Sequence, residues 1–539
     1  MIGVVARETE HAVIREFFEL FKTPWEFCRP GVAYDVLICS NAKSVANPAE
    51  MVVVYGCGES ALDADLGITR TALGRNTVIA RGADRIPIHK SCITLAGPGR
   101  PILQTEDGEA VALDLSFRGS SMIRVGFDLF AEVRFLLESG QPPKDARIPA
   151  LDLHISLLRD WILGHSIRLA EIPPVPAGYD FIVCLTHDVD HCQIRNHRWD
   201  HTMFGFLYRA TFGSFIGCCT GRESVRQLVA NWRAAFSLPF VYLGLAADFW
   251  KTFRRYREME DGLPSTFFVI PKRNDPGMKG AEPAPLRRAA HYDLTEIGEE
   301  IRALVSEGCE IGVHGIDAWR DSSKGRLERE AIQAVGGKPE TGARIHWLYF
   351  DADSPAQLEA AGFSYDSTCG YNETVGYRAG TTQVFQPPKA NQLLELPMHV
   401  MDTALFYPSY MNLKPSQART ILDEMLANNV RFGGVLTVNW HDRSIAPERL
   451  WDQAYRELLE DLKERRAWCA TAGQVVSWFR KRRAARFETT GEGRINLAVD
   501  PSDDELPGLQ IWQYDGGVQP GVPSGPDADR SFRMSQLQT

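Results

Sequence analysis

Two aspartates and two histidines fall within five residues at His187-Asp188-Val189-Asp190-His191. They follow an apolar run, Phe181-Ile182-Val183-Cys184-Leu185, which reads as a buried strand. Asp188 and Asp190 are two apart, so on a strand they point the same way. Carboxylates and imidazoles gathered where a strand ends can hold a divalent metal or move protons. Parallel α/β folds place their sites at such ends. The plainer alternative is a polar surface turn.

Later segments repeat the pattern. Ser265-Thr266-Phe267-Phe268-Val269-Ile270 reads as a second buried strand. Glu310-Ile311-Gly312-Val313-His314-Gly315-Ile316-Asp317 is a third, with His and Asp at its end. Arg344-Ile345-His346-Trp347 follows, and Val435-Leu436-Thr437-Val438-Asn439-Trp440-His441-Asp442 closes a late strand in His-Asp. Taken one by one, His314 could be a hydrogen-bonded core histidine, Arg344 a loop arginine, and His441 a structural partner of Asp442 or Asp402. Asp317 could cap a helix.

In this order the segments resemble the polysaccharide deacetylase (NodB-homology) family of carbohydrate esterases. That family carries Thr-Phe-Asp-Asp-Gly, then a strand like Ala-Thr-Phe-Phe-Val, then His-Ser/Thr-x-x-His. Arg-x-Pro-Tyr/Trp and Leu-x-Ile-x-x-His follow. Here the first motif is Thr186 to Asp190, as in a divergent branch with His-Asp-Val-Asp. The third keeps His314 but has Ala318 in the place of its second His. The fourth keeps Arg344 and Trp347, with His346 in place of Pro, and the fifth runs from Leu436 to His441. The resemblance covers roughly residues 178–480.

The resemblance implies a distorted (β/α) barrel and a water attack on an amide beside a divalent metal. Asp188 would be the general base, His441 the general acid, and Arg344 would orient Asp188 by a charged hydrogen bond. Metal ligands would be Asp190, His314 and, in place of the missing His, Asp317. His187, His191 and His399 are alternatives for that third place. Zn²⁺ is the first expectation; a second carboxylate would harden the site toward Mn²⁺, Fe²⁺ or Co²⁺. The substrate would be an N-acetylated or N-formylated amino sugar in a glycan, glycolipid or precursor, lipid-linked in one version. Two other readings stay open: a catalytically inactive carbohydrate-binding protein, and a metal hydrolase of a non-sugar amide.

Composition narrows the classes. The chain has 539 residues, 44% hydrophobic and 24% charged, which is globular usage. A net charge of −10 and no basic stripe argue against a nucleic-acid partner. No uncharged run reaches the length of a membrane span, and the start reads as no signal peptide. Eleven cysteines, an odd number without metal-like pairs, point to a reducing compartment, so the cytoplasm is expected.

The chain divides into an α/β layer domain at 1–140, a linker helix and Pro-rich junction at 141–177, and the barrel at 178–486. A short strand pair and a disordered tail are expected at 487–539. The first domain alternates strand and helix and vaguely resembles flavodoxin-like amidotransferase folds. Cys57, between glycines, is the one suggestive residue there, though no histidine partner accompanies it. Residues 192–262 read as an aromatic-rich helical insertion. It is expected to bury its apolar residues against the barrel, with a lid or peripheral membrane contact as the alternative. His197, Arg198 and His201 are candidates to line the pocket. The glycine- and aromatic-rich stretch at 365–380 is expected to shape a sugar site.

Overall fold

Eight strands, buried on both faces, make one all-parallel sheet between Phe181 and Asn439. In this computed structural model, residues 1–40, 48–58, 61–221, 224–336, 338, 341–489, 495–498 and 505–515 are described. The chain forms two compact units, one of residues 1–177, 378–381 and 480–539, the other of residues 178–377 and 382–479.

The second unit holds the sheet. Its strands are β1 (Phe181–Val189), β2 (Ser265–Val269), β3 (Glu310–Gly315), β4 (Ala343–Ile345), β5 (Tyr365–Asp366), β6 (Leu394–Glu395), β7 (Val400–Met401) and β8 (Val435–Asn439). A ninth, β9 (Ala467–Cys469), pairs with the start of β1. The order across the sheet is β6-β5-β4-β3-β2-β1-β8-β7. Helices such as Gly298–Ser306, Ser322–Val335 and Pro415–Phe432 fill crossovers between successive strands, as parallel pairing requires. Because helices cover one face and the interior the other, β1 is buried along its whole length, and its first five residues are apolar rather than alternating.

The two edge strands, β6 and β7, are consecutive in the chain and are separated only by residues 396–399. Five peptide steps reach at most about 18 Å. Eight strands laid flat would put the edges roughly 34 Å apart. The sheet must therefore curl until its edges face each other. It is the distorted (β/α) barrel expected from the sequence, and every strand delivers its C-terminal end to one rim.

The first unit is built on a nine-stranded mixed sheet. Trp25–Phe27, Ile2–Val5, Tyr34–Ser40, Ala49–Tyr55 and Ser120–Val125 run parallel in that order. Ala110–Phe117 and Arg100–Thr105 continue it as an antiparallel hairpin, followed by the pair Thr77–Arg81 and Asp84–Ile88. The strands between 69 and 96 had no counterpart in the sequence reading. Cys57 is a half-buried thiol packed against the core: its Sγ donates to the Ser91 and Gly126 carbonyls at 3.0 and 3.3 Å, and burial pushes it up to about 11. Near the C-terminus the pairing differs from expectation. Ile495–Ala498 pairs with Arg486–Thr489, and Trp512–Tyr514 pairs with Leu169–Glu171, rather than the two late strands pairing together. The tail expected beyond 515 lies outside the described residues.

The insertion is helical, as expected: α1 (His201–Tyr208), α2 (Ser214–Cys219) and α3 (Val225–Tyr242), with a π-helical turn joining α1 to α2. Its burial is half of what was expected. Phe206, Leu238, Val241 and Trp250 form a small core, while Phe212, Phe236 and Leu243 stand in solvent.

Candidate active site

The rim of the curled sheet gathers the residues singled out by type and spacing. Asp188 is the next-to-last residue of β1 and Asp190 follows it; His314 lies on β3 and Arg344 on β4. Asn439 ends β8, and His441 follows two residues later. In-register pairing places His314 beside Arg344 and Thr186 beside Asn439.

Asp188 is clamped. Arg344 Nη1 donates to its Oδ1 at 3.0 Å and Asn439 Nδ2 to its Oδ2 at 2.8 Å. Burial acts to raise this carboxyl, yet His314, Arg344 and His441 together hold it below its ordinary range. Arg344 is itself fixed, donating to Thr186 Oγ1 at 2.7 Å, to Ser367 O at 3.1 Å and to Ser367 Oγ at 2.9 Å. Its guanidinium lies 4.4 Å over the Phe268 ring. That ring sits against Gly312, where a Cβ would come within 2.7 Å of it.

Asp190, His314 and His346 form a converging triad. Asp190 Oδ1 lies 3.4 Å from His314 Nε2 and 3.3 Å from His346 Nδ1. The two imidazole nitrogens are 2.9 Å apart. His314 Nδ1 faces the Arg344 carbonyl at 2.9 Å, which makes Nδ1 the donor and leaves Nε2 a lone pair aimed at the triad. Asp190 Oδ1 is buried without a hydrogen-bond partner. An orphaned carboxylate oxygen between imidazole nitrogens is a costly arrangement unless a cation completes it. One carboxylate and two imidazoles are a common donor set for Zn²⁺ and similar ions.

The third place in the triad differs from expectation. Asp317 is not there: its Oδ2 pairs with Lys324 Nζ at 2.6 Å and its Oδ1 accepts from the Met278 amide at 2.9 Å. Those bonds hold the loop after β3, and Asp317 does not join Asp190, His314 and His346. His346 fills the position instead, so the argument for a harder metal from a second carboxylate falls away. His187 is closed off by Glu260 at 2.7 Å and the Trp440 carbonyl at 2.8 Å. His191 bonds His197 at 3.2 Å, and His399 Nδ1 accepts from the Thr437 amide at 3.3 Å.

His441 makes a dyad that sequence reasoning mentioned only as a structural pairing. Asp402, just after β7, accepts from His441 Nδ1 at 2.6 Å and from the His441 amide at 2.7 Å. The imidazole is thereby aimed with Nε2 toward Asp190 Oδ2, 4.0 Å away. Burial works against its charge, but Asp402, Asp190 and Asp188 lift it to about 9.

No family model matches the chain, and no curated protein matches it. Solved structures do. Polysaccharide deacetylases stand among them. A Mycobacterium smegmatis structure described as a polysaccharide deacetylase has 19% identity, covers 57% of this chain and 95% of its own, and has a TM-score of 0.35. Agd3, described as a carbohydrate deacetylase, has 7% identity, covers 92% of this chain and 91% of its own, and has a TM-score of 0.35. Puue allantoinase has 14% identity, 57% and 92% coverage, and a TM-score of 0.34. At such scores the likeness decides nothing about chemistry, and the site is read from its own atoms.

A turn in the backbone brings His346 to the triad. Trp347 and Leu348 both adopt left-handed conformations, with φ of 61° and 52°, and Asn372 Nδ2 holds the Trp347 carbonyl at 3.2 Å. Two such residues in sequence cost on the order of 1–2 kcal/mol each. The half-buried Trp347 ring sits 5.8 Å from the His346 ring, an apolar platform beside the triad. Of the residues considered as pocket lining, His197 is buried in the insertion's own network, with Asp200 at 2.7 Å. Arg198 is exposed and packs over Tyr242 at 5.5 Å.

Proposed function

We propose that the chain is a divalent-metal-dependent hydrolase that removes an acetyl or formyl group from an N-acylated amino sugar. The observation that carries this reading is the convergence on one rim of a clamped carboxylate, an orphaned Asp-His-His triad and a carboxylate-held imidazole. Asp190 Oδ1, His314 Nε2 and His346 Nδ1 would hold the metal. Bound there, it would supply Lewis acidity to an amide oxygen and to water.

The protein residues carry the protons. Asp188, next to the triad with its Oδ2 3.8 Å from His314 Nε2, takes a proton from water as its oxygen attacks the amide carbon. Arg344 and Asn439 keep that carboxylate oriented and ionised until then. His441, across Asp190, gives its proton to the amide nitrogen as the C–N bond breaks. Asp402 fixes the tautomer and balances the imidazolium. The products are a carboxylate and an amine, and attack by water forms no acyl-enzyme; the serine at this rim, Ser367, has its Oγ held by Arg344 at 2.9 Å. The Trp347 ring is suited to the apolar face of a sugar.

The test pairs metal content with acetate release. Purified protein carrying about one equivalent of Zn²⁺ or a similar ion, and releasing acetate from N-acetylglucosamine oligomers, supports the reading. A loaded protein that releases acetate or formate only from non-sugar amides would retain the hydrolase and remove the sugar. A protein that binds no divalent ion would remove both.

A further inference from the structure

We propose that the helical insertion docks the protein on an anionic lipid bilayer, an inference independent of the reaction at the rim. Nineteen large hydrophobic side chains are exposed among the described residues, and thirteen of them lie between Trp199 and Leu245. On α3 the exposed set is Val225, Val229, Trp232, Phe236 and Phe240, spaced by three or four residues along one helical stripe. The opposite stripe, Ala234, Leu238 and Val241, is buried in the insertion's own core. The preceding helical segment does the same: Phe204, Tyr208, Phe212 and Phe215 face out while Met203, Phe206 and Ala210 face in.

Both segments are thus apolar on two faces, and only one face has a partner. Phe236 is 75% exposed and Leu245 74%. Soluble surfaces rarely carry so dense a patch without an occupant.

The charges name the occupant. Between residues 198 and 245 the sequence carries Arg198, Arg209, Arg222, Arg226 and Arg233 against Asp200 and Glu223, in a chain whose net charge is −10. Asp200 is already engaged by His197 and by the amide of Met203 at the start of α1. Arg209, Arg226 and Arg233 are exposed. Cations flanking exposed Trp, Tyr and Phe are the pattern of a helix that lies in the headgroup region. No described helix is long and apolar enough to cross a membrane, so the contact is interfacial. The same insertion core includes Ala446, in the loop after β8 that carries His441. Docking would therefore hold the rim of the barrel near the bilayer surface, where amphiphilic substrates lie.

The experiment is vesicle flotation of the full chain, with phosphatidylcholine vesicles and with vesicles that also contain phosphatidylglycerol. The wild type is expected to float with the anionic vesicles, and less so at high salt. Phe236→Glu/Phe240→Glu is expected to weaken binding at least about tenfold, which corresponds to roughly 1.4 kcal/mol. Arg226→Glu/Arg233→Glu is expected to abolish the preference for the anionic vesicles. Both pairs are exposed, so unchanged circular dichroism checks that the fold is intact. Failure of the wild type to float with either vesicle would overturn the proposal. So would flotation unaffected by the Phe236/Phe240 pair, or a dimer that this pair dissolves without any vesicle binding. None of these outcomes depends on turnover, so they leave the hydrolase reading to its own test.

Discussion

Among the described residues, two His-Asp-His groups lie in the barrel unit, and they differ in what their polar atoms already do. In Asp190-His314-His346 the carboxylate oxygen between the rings has no hydrogen-bond partner, and a backbone carbonyl fixes the far nitrogen of His314. In His197-Asp200-His291 the carboxylate is spent: Oδ2 faces His197 Nδ1 at 2.7 Å and Oδ1 accepts the Met203 amide at 2.8 Å. The other nitrogen of His197 meets His191 at 3.2 Å. The second group is explained by helix capping and hydrogen bonding. The first is left with an unpaid electrostatic debt. Residue type and proximity are the same in both; what differs is whether the carboxylate's lone pairs already have partners.

The comparison breaks most sharply on turnover. Asp188→Asn and His441→Ala, which flank the first group, are expected to lower kcat on an N-acetylated sugar by at least about a thousandfold, the scale of a lost general base or acid. His291→Ala, in the second group, is expected to leave kcat within about threefold. Rates that fall equally in all three, with folding intact, would erase the distinction.

Metal content gives the next largest contrast. His314→Ala and His346→Ala are each expected to reduce bound Zn²⁺ from about one equivalent to near none at micromolar protein. His291→Ala is expected to keep the full equivalent, as measured by elemental analysis. Asp317→Asn is expected to keep it as well, with a stability loss of about 1 kcal/mol from weakening the Lys324 pair. Loss of metal in Asp317→Asn with His346→Ala unaffected would restore the carboxylate ligand that spacing suggested.

Much of this rim was legible because strand ends announce themselves. An apolar run closing in polar residues located Asp188, Asp190, His314 and His441, the family resemblance pointed to Arg344, and the common rim followed from parallel pairing. His346 escapes that reading because it stands where the resembled motif carries proline. The signal was present: Arg344 and His346 are two apart, like Asp188 and Asp190, so they share a side of the chain. Asp402 follows β7 and Asn439 ends β8, and it is the lateral pairing of β7, β8 and β1 that sets them beside His441 and Asp188, which spacing along the chain does not announce. In the first unit, apolar strands such as Tyr34–Ser40 stood out, whereas Thr69–Gly74 is short, polar and mostly exposed, with no alternation to detect. The insertion misled for the opposite reason. A helix apolar on both faces reads as buried, and the sequence does not say that one face lacks a partner.

The smallest contrast concerns how the frames of the two groups respond to pH. The loop that follows His314 is pinned by Glu328, whose Oε2 and Oε1 accept the amides of Ile316 and Asp317 at 3.0 and 2.9 Å. Burial pushes this carboxyl up to about 7, against an ordinary value of 4.5, with Asp317 adding to the rise and Lys272 opposing it. A raised folded value means that the stabilising contribution is fully present below about pH 4.5. It is lost as pH climbs through about 7, for a total on the order of 3 kcal/mol. Asp200, in the second group, is displaced the other way: burial would raise it, but the Met203 amide and His197 hold it low. Its contribution persists at high pH and fades only in acid. Thermal melts of Glu328→Gln should therefore start below the parent by about 1 kcal/mol near pH 5, because the amide can accept only one of the two N–H groups well. The gap should close or reverse by about pH 8, where the parent has paid to ionise a buried acid. A constant gap across that range would mean that Glu328 stays ionised in the folded protein, and that the two frames do not differ in this respect.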